Sequence, residues 1–264
     1  MSAVSTSSPV LPLLQVRDLA VSVGGHRVCQ GLGFDLLPGE RLAILGRNGA
    51  GKSTLLSTLA GLRAPGAGQV LLEGCPYGDW GPRQAALRRG WLAQSQGDAF
   101  SSTVLEGALA GRHPHLGRWD WESEQDRALA QAALAAVGLA GLEQRQSATL
   151  SGGERQRLGI ATLLTQAPHL YLLDEPLAYL DLNHQVAMLE LFSAQAREGA
   201  GLVLVLHDPA MAARYCDRVL LLYGDGEAEV GPADQLLTGE RLTRLYGHPL
   251  ERAEVHGHVV FIPA

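Results

Sequence analysis

The strands of this chain are marked by short apolar runs that do not alternate with polar residues. Such runs are typical of central strands in a parallel sheet, because helices cover both faces of that sheet. They predict an α/β core built on residues 41–45, 170–173, 202–206 and 218–222. The N-terminal part differs, because 14–16 and 19–23 alternate in part and a turn follows at Gly24 and Gly25, so it predicts a small antiparallel β-layer.

Helical periodicity appears in two places. A helix over 53–62 follows the first buried strand, ends near Gly61, and has an apolar face made of Leu55, Leu56, Leu59 and Ala60. Farther along, Ser123 and Asp126 have the spacing of a capping box and predict the start of another helix. Its apolar face is expected to contain Leu129, Ala132, Ala133, Ala136 and Val137.

These patterns divide the chain into a lead, one domain and a tail. Residues 1–12 are expected to be a disordered lead, and the basic start and long apolar segment of a signal peptide are not found in them. The domain covers 13–250, with a core at 13–95 and 160–240 and a helical subdomain inserted at 96–159. Residues 241–264 form a C-terminal tail.

Composition limits the possible classes of protein. The 264 residues are 46% hydrophobic, which provides an ample core, and no stretch approaches the 18 apolar residues of a membrane span. The net charge of −6 and the lack of a long basic run give no reason to expect a nucleic-acid partner. Three widely spaced cysteines indicate reduced thiols of a cytosolic protein: Cys29, Cys75 and Cys216.

Residues 46–53 match the phosphate-binding loop G-x-x-x-x-G-K-[ST]. Glycines let backbone N–H groups approach a polyphosphate, and the segment lies between a predicted strand and the N-terminus of a predicted helix. Lys52 supplies positive charge for the β- and γ-phosphates, and the Ser53 hydroxyl can ligate Mg²⁺. The alternative is a glycine-rich turn that matches by chance. The binding residues expected here are Gly46, Arg47, Asn48, Gly49, Ala50, Gly51, Lys52 and Ser53.

Polar side chains follow two of the predicted parallel strands. Asp174 and Glu175 come directly after 170–173, and His207 follows 202–206. Ligands bind at the carboxyl ends of parallel strands, so these groups are expected to converge with Lys52. Asp174 can hold Mg²⁺ and Glu175 can polarise the attacking water, although two acids that cap the next helix would look the same.

The segment 150–157 offers a second anion site. Ser151 and Glu154 have capping-box spacing, which by itself predicts only the start of a helix. Gly152 and Gly153 leave that helix N-terminus bare, so a γ-phosphate could approach it closely.

Together these segments resemble the ATP-binding subunit of an ABC transporter. Walker A matches at 46–54, which adds Thr54, the signature at 150–154 and Walker B at 170–175. The Q-loop glutamine falls on Gln94, the D-loop aspartate on Asp181 and the switch histidine on His207. The match covers 13–250, and it implies a phosphate-loop ATPase that binds ATP and Mg²⁺.

The resemblance also implies how the site works. Two copies would form a head-to-tail dimer, in which Ser151, Gly152, Gly153 and Asp181 of one chain serve the ATP held by the other. Gln94 would sense Mg²⁺ and the membrane partner, and His207 would contact the γ-phosphate. The implied catalytic residues are Lys52, Glu175 and His207, and the implied metal ligands are Ser53, Gln94 and Asp174.

A narrower resemblance concerns the cargo. The segments 103–106, 111–115 and 206–217 look like those of importer ATPases for ferric siderophores, haem and cobalamin. Such a subunit would dock on a permease at the cytoplasmic face of the membrane, and an extracytoplasmic binding protein would deliver cargo. The alternatives are another ABC importer, an exporter or a non-transport ABC ATPase. His113 and His115 lack Cys or carboxylate neighbours and are not expected to bind metal.

Two positions depart from the family pattern. Val23 stands where the family commonly places an aromatic residue that stacks on adenine, and Leu177 stands where threonine is usual. These departures concern the selectivity for the base. His26 is an alternative source of the aromatic ring that would stack on adenine. The departures do not concern the hydrolysis of ATP.

Overall fold

The computed structural model describes residues 10–94 and 102–264. Residues 1–9 contain most of the predicted lead, and residues 95–101 contain the predicted boundary between core and helical subdomain. Both predictions therefore fall largely outside the described residues.

Strands and helices alternate through most of the described chain. The strands are β1 (Leu14–Val23), β2 (His26–Leu36), β3 (Arg41–Gly46), β4 (Ala67–Leu72), β5 (Cys75–Pro76), β6 (Arg89–Leu92), β7 (Leu170–Leu173), β8 (Gly201–Val205), β9 (Arg218–Leu222), β10 (Ala228–Pro232), β11 (Leu250–Val255) and β12 (His258–Pro263). The helices are α1 (Lys52–Leu59), α2 (Tyr77–Arg88), α3 (Val104–Leu109), α4 (Glu124–Ala136), α5 (Gly152–Gln166), α6 (Leu182–Arg197), α7 (Pro209–Tyr215), α8 (Ala233–Leu236) and α9 (Gly239–Tyr246).

The larger sheet has the order β10-β9-β3-β8-β7-β6, in which β9, β3, β8, β7 and β6 are parallel and β10 is antiparallel. The smaller sheet is antiparallel, with the order β2-β1-β4-β5. Its β1–β2 hairpin turns at Gly24 and Gly25, whose positive φ angles of 55° and 81° suit glycine. The predicted α/β core with an antiparallel β-layer is confirmed.

The parallel sheet separates two apolar cores. Successive side chains of a strand point to opposite faces, and β3 illustrates this. Leu42 and Ile44 pack with the antiparallel sheet and α1, whereas Ala43 and Leu45 pack with the helices on the other face. Because both faces are covered, β3 is buried apart from its first residue, and its polar neighbours lie only at its ends.

Helices α3 and α4, the first part of α5 and two 3₁₀ turns lie in the range predicted for the helical subdomain, 96–159, and α5 continues beyond it to Gln166. The capping box of α4 is present, because Ser123 and Asp126 exchange hydrogen bonds. The predicted apolar face of α4 was wrong by about one position. Leu129 is 43% exposed, and the buried apolar residues are Ala130, Ala133 and Leu134, followed by Val137. Helix α4 packs against α3 and α5, so the side that carries Ala130, Ala133 and Leu134 is the buried one.

The C-terminal residues 241–264 contain most of α9 and the hairpin of β11 and β12. This hairpin packs against α7 and α9. None of the helices in the described ranges has both the length and the apolarity that a membrane crossing requires.

Candidate nucleotide site

The phosphate loop is shaped by glycines that meet close neighbours. Gly51 has φ of 91° and is the N-cap of α1, and a Cβ there would lie 2.5 Å from Cγ2 of Val28. A Cβ on Gly46 would lie 2.7 Å from the carbonyl oxygen of Leu222. Since a side chain fits at neither position, the neighbouring strands require bare backbone at these two points of the loop, where a phosphate can approach the N–H groups.

Lys52 points back into this loop. Its Nζ donates hydrogen bonds to the carbonyl oxygens of Gly46, at 2.9 Å, and of Arg47, at 3.1 Å. The residue is buried, and burial lowers the pKa of its ammonium, while Glu175 and Asp174 act in the opposite direction. The two hydrogen bonds of this buried ammonium go to neutral carbonyl oxygens, so a polyphosphate that entered the loop could form charge-assisted hydrogen bonds with it.

Asp174 follows β7 and is almost completely buried. Burial is the main influence on its carboxyl group and raises the pKa, while the neighbouring Ser53 hydroxyl and Lys52 ammonium act in the opposite direction. Within the described chain, its Oδ1 is buried without a hydrogen-bond partner. An orphaned carboxylate oxygen beside a serine hydroxyl is suited to a hard divalent cation, which takes oxygen ligands.

Glu175 is held from three sides. Gln94 donates from Nε2 to its Oε2 at 3.0 Å, and Nε2 of His207 lies 2.9 Å from its Oε1. Its backbone has φ of 49°, an uncommon value for a residue with a side chain, and its carbonyl oxygen accepts from Nε2 of Gln156 at 3.3 Å. These contacts fix a carboxylate at the edge of the phosphate-loop cleft.

A cleft of about 320 Å³ lies beside these groups. Its described lining includes neither Asp174 nor His207. Val23 is 39% exposed and belongs to its lining, whereas His26, its partner across the β1–β2 hairpin, is not part of the described lining. The lining therefore places an aliphatic group at the mouth of the cleft. The lining residues are Val23, Asn48, Gly49, Gly51, Lys52, Ser53, Thr54, Gln94 and Glu175.

The signature segment lies elsewhere. Ser151 is the N-cap of α5 and exchanges hydrogen bonds with Glu154, and Gly153 approaches Tyr179, whose carbonyl oxygen would lie 2.8 Å from an added Cβ. Asp181 caps α6 and accepts from the backbone N–H of His184 at 2.9 Å. The described lining of the cleft includes neither Asp181 nor any of Ser151, Gly152 and Gly153.

Sequence reasoning missed several residues that shape the site. Gln156 reaches the Glu175 backbone from α5, and Val28 and Leu222 press on the loop glycines from β2 and β9. These are ordinary residues without a local motif, so their roles depend on which strands and helices become neighbours. His115 lies at the end of the 3₁₀ helix Ala110–His115, where its Nε2 contacts the carbonyl oxygen of Gln166 at 2.8 Å.

The fold and the cleft define a phosphate-loop ATPase with an antiparallel β-layer and an inserted helical subdomain. Residues 29–178 match the family model described as ABC transporter. The chain therefore belongs to the ABC transporter family, as an ATP-binding subunit that hydrolyses ATP to drive transport.

Curated relatives match over most of their length. The chain is 46% identical over 245 residues to a protein of Deinococcus radiodurans named hemin import ATP-binding protein HmuV, a match that covers 90% of this chain and 91% of the relative. A protein of the same name from Myxococcus xanthus is 42% identical, with 92% and 93% covered.

A solved structure has a similar fold. A metal-chelate type ABC transporter in an inward-facing conformation matches with a TM-score of 0.83 and 30% identity, over 96% of this chain and 98% of that chain.

Proposed function

We propose that this chain is the ATP-hydrolysing subunit of an importer whose cargo is haem, with another iron chelate or cobalamin as the nearest alternatives. The observation that carries this proposal is the 46% identity, over nine-tenths of the chain, to a protein named for hemin import. The similarity to a metal-chelate type transporter supports the same class of cargo.

In the proposed reaction, the loop of Gly46 to Thr54 binds the phosphates of ATP through backbone N–H groups and the Lys52 ammonium. Glu175 orients a water molecule for attack on the γ-phosphate and receives its proton. Gln94 and His207 hold the two oxygens of the Glu175 carboxylate, which supports this role because a base must be aimed to be effective.

Mg²⁺ is the proposed metal of this site. Ser53, Asp174 and Gln94 would hold it through a hydroxyl, a carboxylate and an amide oxygen, and the orphaned Oδ1 of Asp174 supports this set. When bound, the cation would neutralise charge on the phosphates.

A head-to-tail dimer is proposed because the two parts of a complete site, the phosphate-loop cleft and the signature segment, lie at separate places on each chain. The lining of the cleft lacks the signature residues, and Ser151 sits at a helix N-terminus that is open to another molecule. Ser151, Gly152, Gly153 and Asp181 of one copy would complete the site that Lys52 and Glu175 build in the other.

The remaining partners follow from the proposed importer role. The subunit would associate with a separate permease at the cytoplasmic face of the cell membrane. On the other side of the membrane, an extracytoplasmic binding protein would supply the cargo to that permease. Nucleic acid is not among the proposed partners, in keeping with the net charge of −6.

The test is reconstitution of the chain with its permease and binding protein in vesicles. Haem delivered by the binding protein should stimulate ATP hydrolysis and accumulate in the lumen, and Glu175→Gln should abolish both. Stimulation only by cobalamin or a ferric siderophore would overturn the haem proposal. Export of haem, cobalamin or a ferric siderophore would favour the exporter alternative. Hydrolysis that is independent of a permease would favour the non-transport alternative.

A further inference from the structure

The last turn of α9 contacts the nucleotide site although it belongs to the C-terminal part of the chain. The Tyr246 hydroxyl donates a hydrogen bond to the carbonyl oxygen of His207 at 3.3 Å. Gly247 ends the helix with φ of 69°, and a Cβ there would lie 3.3 Å from Nη1 of Arg47. One helix end thus meets the switch-histidine loop and the phosphate loop, with the Arg47 guanidinium at the end that favours positive charge.

Helix α9 is firmly anchored on its other faces. Leu242 and Leu245 are fully buried in the apolar core on the face of the parallel sheet that also holds Ala43. Arg241 forms an ion pair with Glu229 at 2.9 Å, and the Arg244 guanidinium lies 4.0 Å from the centre of the Tyr223 ring. Because the β9–β10 hairpin and the core both hold the helix, Tyr246 is a fixed point from which the His207 loop can be positioned.

The His207 loop has its other contacts at its two ends and at the imidazole. Leu206 N–H donates to the Ile44 carbonyl oxygen at 3.2 Å, and Asp208 accepts from the Ala210 N–H at 2.7 Å. Between them, the imidazole Nε2 reaches Oε1 of Glu175 at 2.9 Å. The tyrosine hydroxyl therefore restrains the backbone of the residue whose ring holds Glu175.

We propose that Tyr246 is a positioning residue for ATP hydrolysis, which orients His207 toward Glu175 through the His207 carbonyl oxygen. The proposal rests on the proposed roles of Glu175 and His207. It makes the C-terminal helix part of the hydrolytic machinery, because any shift of α9 relative to the core would move the His207 backbone.

Tyr246→Phe tests this, since it removes the hydroxyl and keeps the ring. The expected kcat for ATP is lower by about two- to tenfold, the range that one neutral hydrogen bond sustains. KM for ATP should change by less than about twofold, because the phosphate loop is untouched.

Tyr223→Phe is the matched control. The Tyr223 hydroxyl donates to Glu229 at 2.7 Å beside the same helix, without touching His207. Both variants lose one tyrosine hydrogen bond near α9, and because the Tyr223 bond is shorter and goes to a carboxylate, Tyr223→Phe should lower Tm at least as much. Only Tyr246→Phe should lower kcat.

A double variant separates positioning from general loosening. In a His207→Ala background, Tyr246→Phe should have no further effect on kcat, because the group that it positions is gone. Wild-type kcat in Tyr246→Phe, equal losses in both tyrosine variants, or additive losses with His207→Ala would each overturn the proposal. If the wild-type chain did not hydrolyse ATP, or His207→Ala hydrolysed it normally, the proposed function would fail instead.

Discussion

The imidazole of His207 and the carboxylate of Glu175 are in direct contact, with Nε2 2.9 Å from Oε1. The two residues follow different strands, β8 and β7, which are neighbours in the parallel sheet. Because Gln94 holds the other carboxylate oxygen from the end of β6, three adjacent strands together fix the orientation of Glu175.

Lys52→Ala should lower ATP hydrolysis by on the order of 10²–10³-fold, because the variant loses the main positive charge facing the phosphates. Lys52 is the only lysine in the sequence. An amine-reactive reagent should therefore label the wild type at Lys52 and the N-terminal amine alone, and ATP should protect Lys52. The assignment would be contradicted if Lys52→Ala turned over ATP normally and if ATP did not reduce the labelling of Lys52 in the wild type.

Glu175→Gln should bind ATP and hydrolyse it more slowly by on the order of 10²–10⁴-fold, since an amide cannot accept the proton of the attacking water. The variant is expected to accumulate as an ATP-bound dimer, which size-exclusion chromatography in ATP and Mg²⁺ can detect. Glu251→Gln, at an exposed position of β11, is the control and should elute as the wild type does. A monomer with bound ATP would count against both the role of Glu175 and the dimer.

Ser151→Arg should abolish hydrolysis and leave ATP binding by the isolated monomer unchanged, because a bulky side chain blocks approach to the other chain's nucleotide. Ser151→Ala is the matched control. It removes the cap of α5, which costs about 1 kcal/mol, without adding bulk. Titration calorimetry of the monomers and turnover of mixed dimers are the measurements. Weaker ATP binding by the Ser151→Arg monomer would show that Ser151 serves its own chain's nucleotide.

Val23→Tyr should tighten nucleotide binding and raise the preference for ATP over GTP, because a ring would replace an aliphatic group at the mouth of the cleft. Stacking of a base on an aromatic ring contributes about 1–3 kcal/mol on single strands, and valine recovers part of this by apolar contact. The gain should therefore lie near the lower end. KM values for ATP and GTP test this, with His26→Ala as the comparison. A strong wild-type ATP preference that only His26→Ala removes would reverse the assignment.

Asp126→Asn should lower the free energy of unfolding at neutral pH by about 2 kcal/mol. Hydrogen bonds from Ser123 and the Arg112 guanidinium hold the pKa of Asp126 at about 2, below its ordinary 3.8. Because the folded pKa is the lower one, this stabilisation is present above about pH 4 and is lost as the pH falls toward 2. Urea unfolding at pH 7 and at pH 3 should show that the difference between wild type and variant shrinks in acid. A constant difference would contradict the explanation that Ser123 and Arg112 stabilise the ionised carboxylate.

Much of the site was predictable because its chemistry is local. The phosphate loop needs glycines and Lys52 at fixed spacing, and the α5 cap needs Ser151 and Glu154 three positions apart, so short segments of sequence define both. The convergence of Asp174, Glu175 and His207 was predictable as well, since each follows an apolar run that had to be a parallel strand.

Other features needed the tertiary structure. The buried side of α4 includes Ala130 and Leu134 but not Leu129, because α3 and α5 pack against that side. The hydrogen bonds of Gln156 to Glu175 and of Tyr246 to His207 join segments far apart in the chain. No local pattern marks such residues, because the periodicity of a helix does not depend on which distant group its glutamine or tyrosine contacts.

By itself, the sequence determined which segments are buried strands, where the phosphate loop lies and which residue types form the cleft. These features depend on side-chain chemistry and short-range periodicity. Only the tertiary structure decided that Ser151 lies apart from the cleft and that α9 closes against the His207 loop. Those arrangements depend on how distant elements pack, and packing is a property of the whole set of surfaces rather than of any one segment.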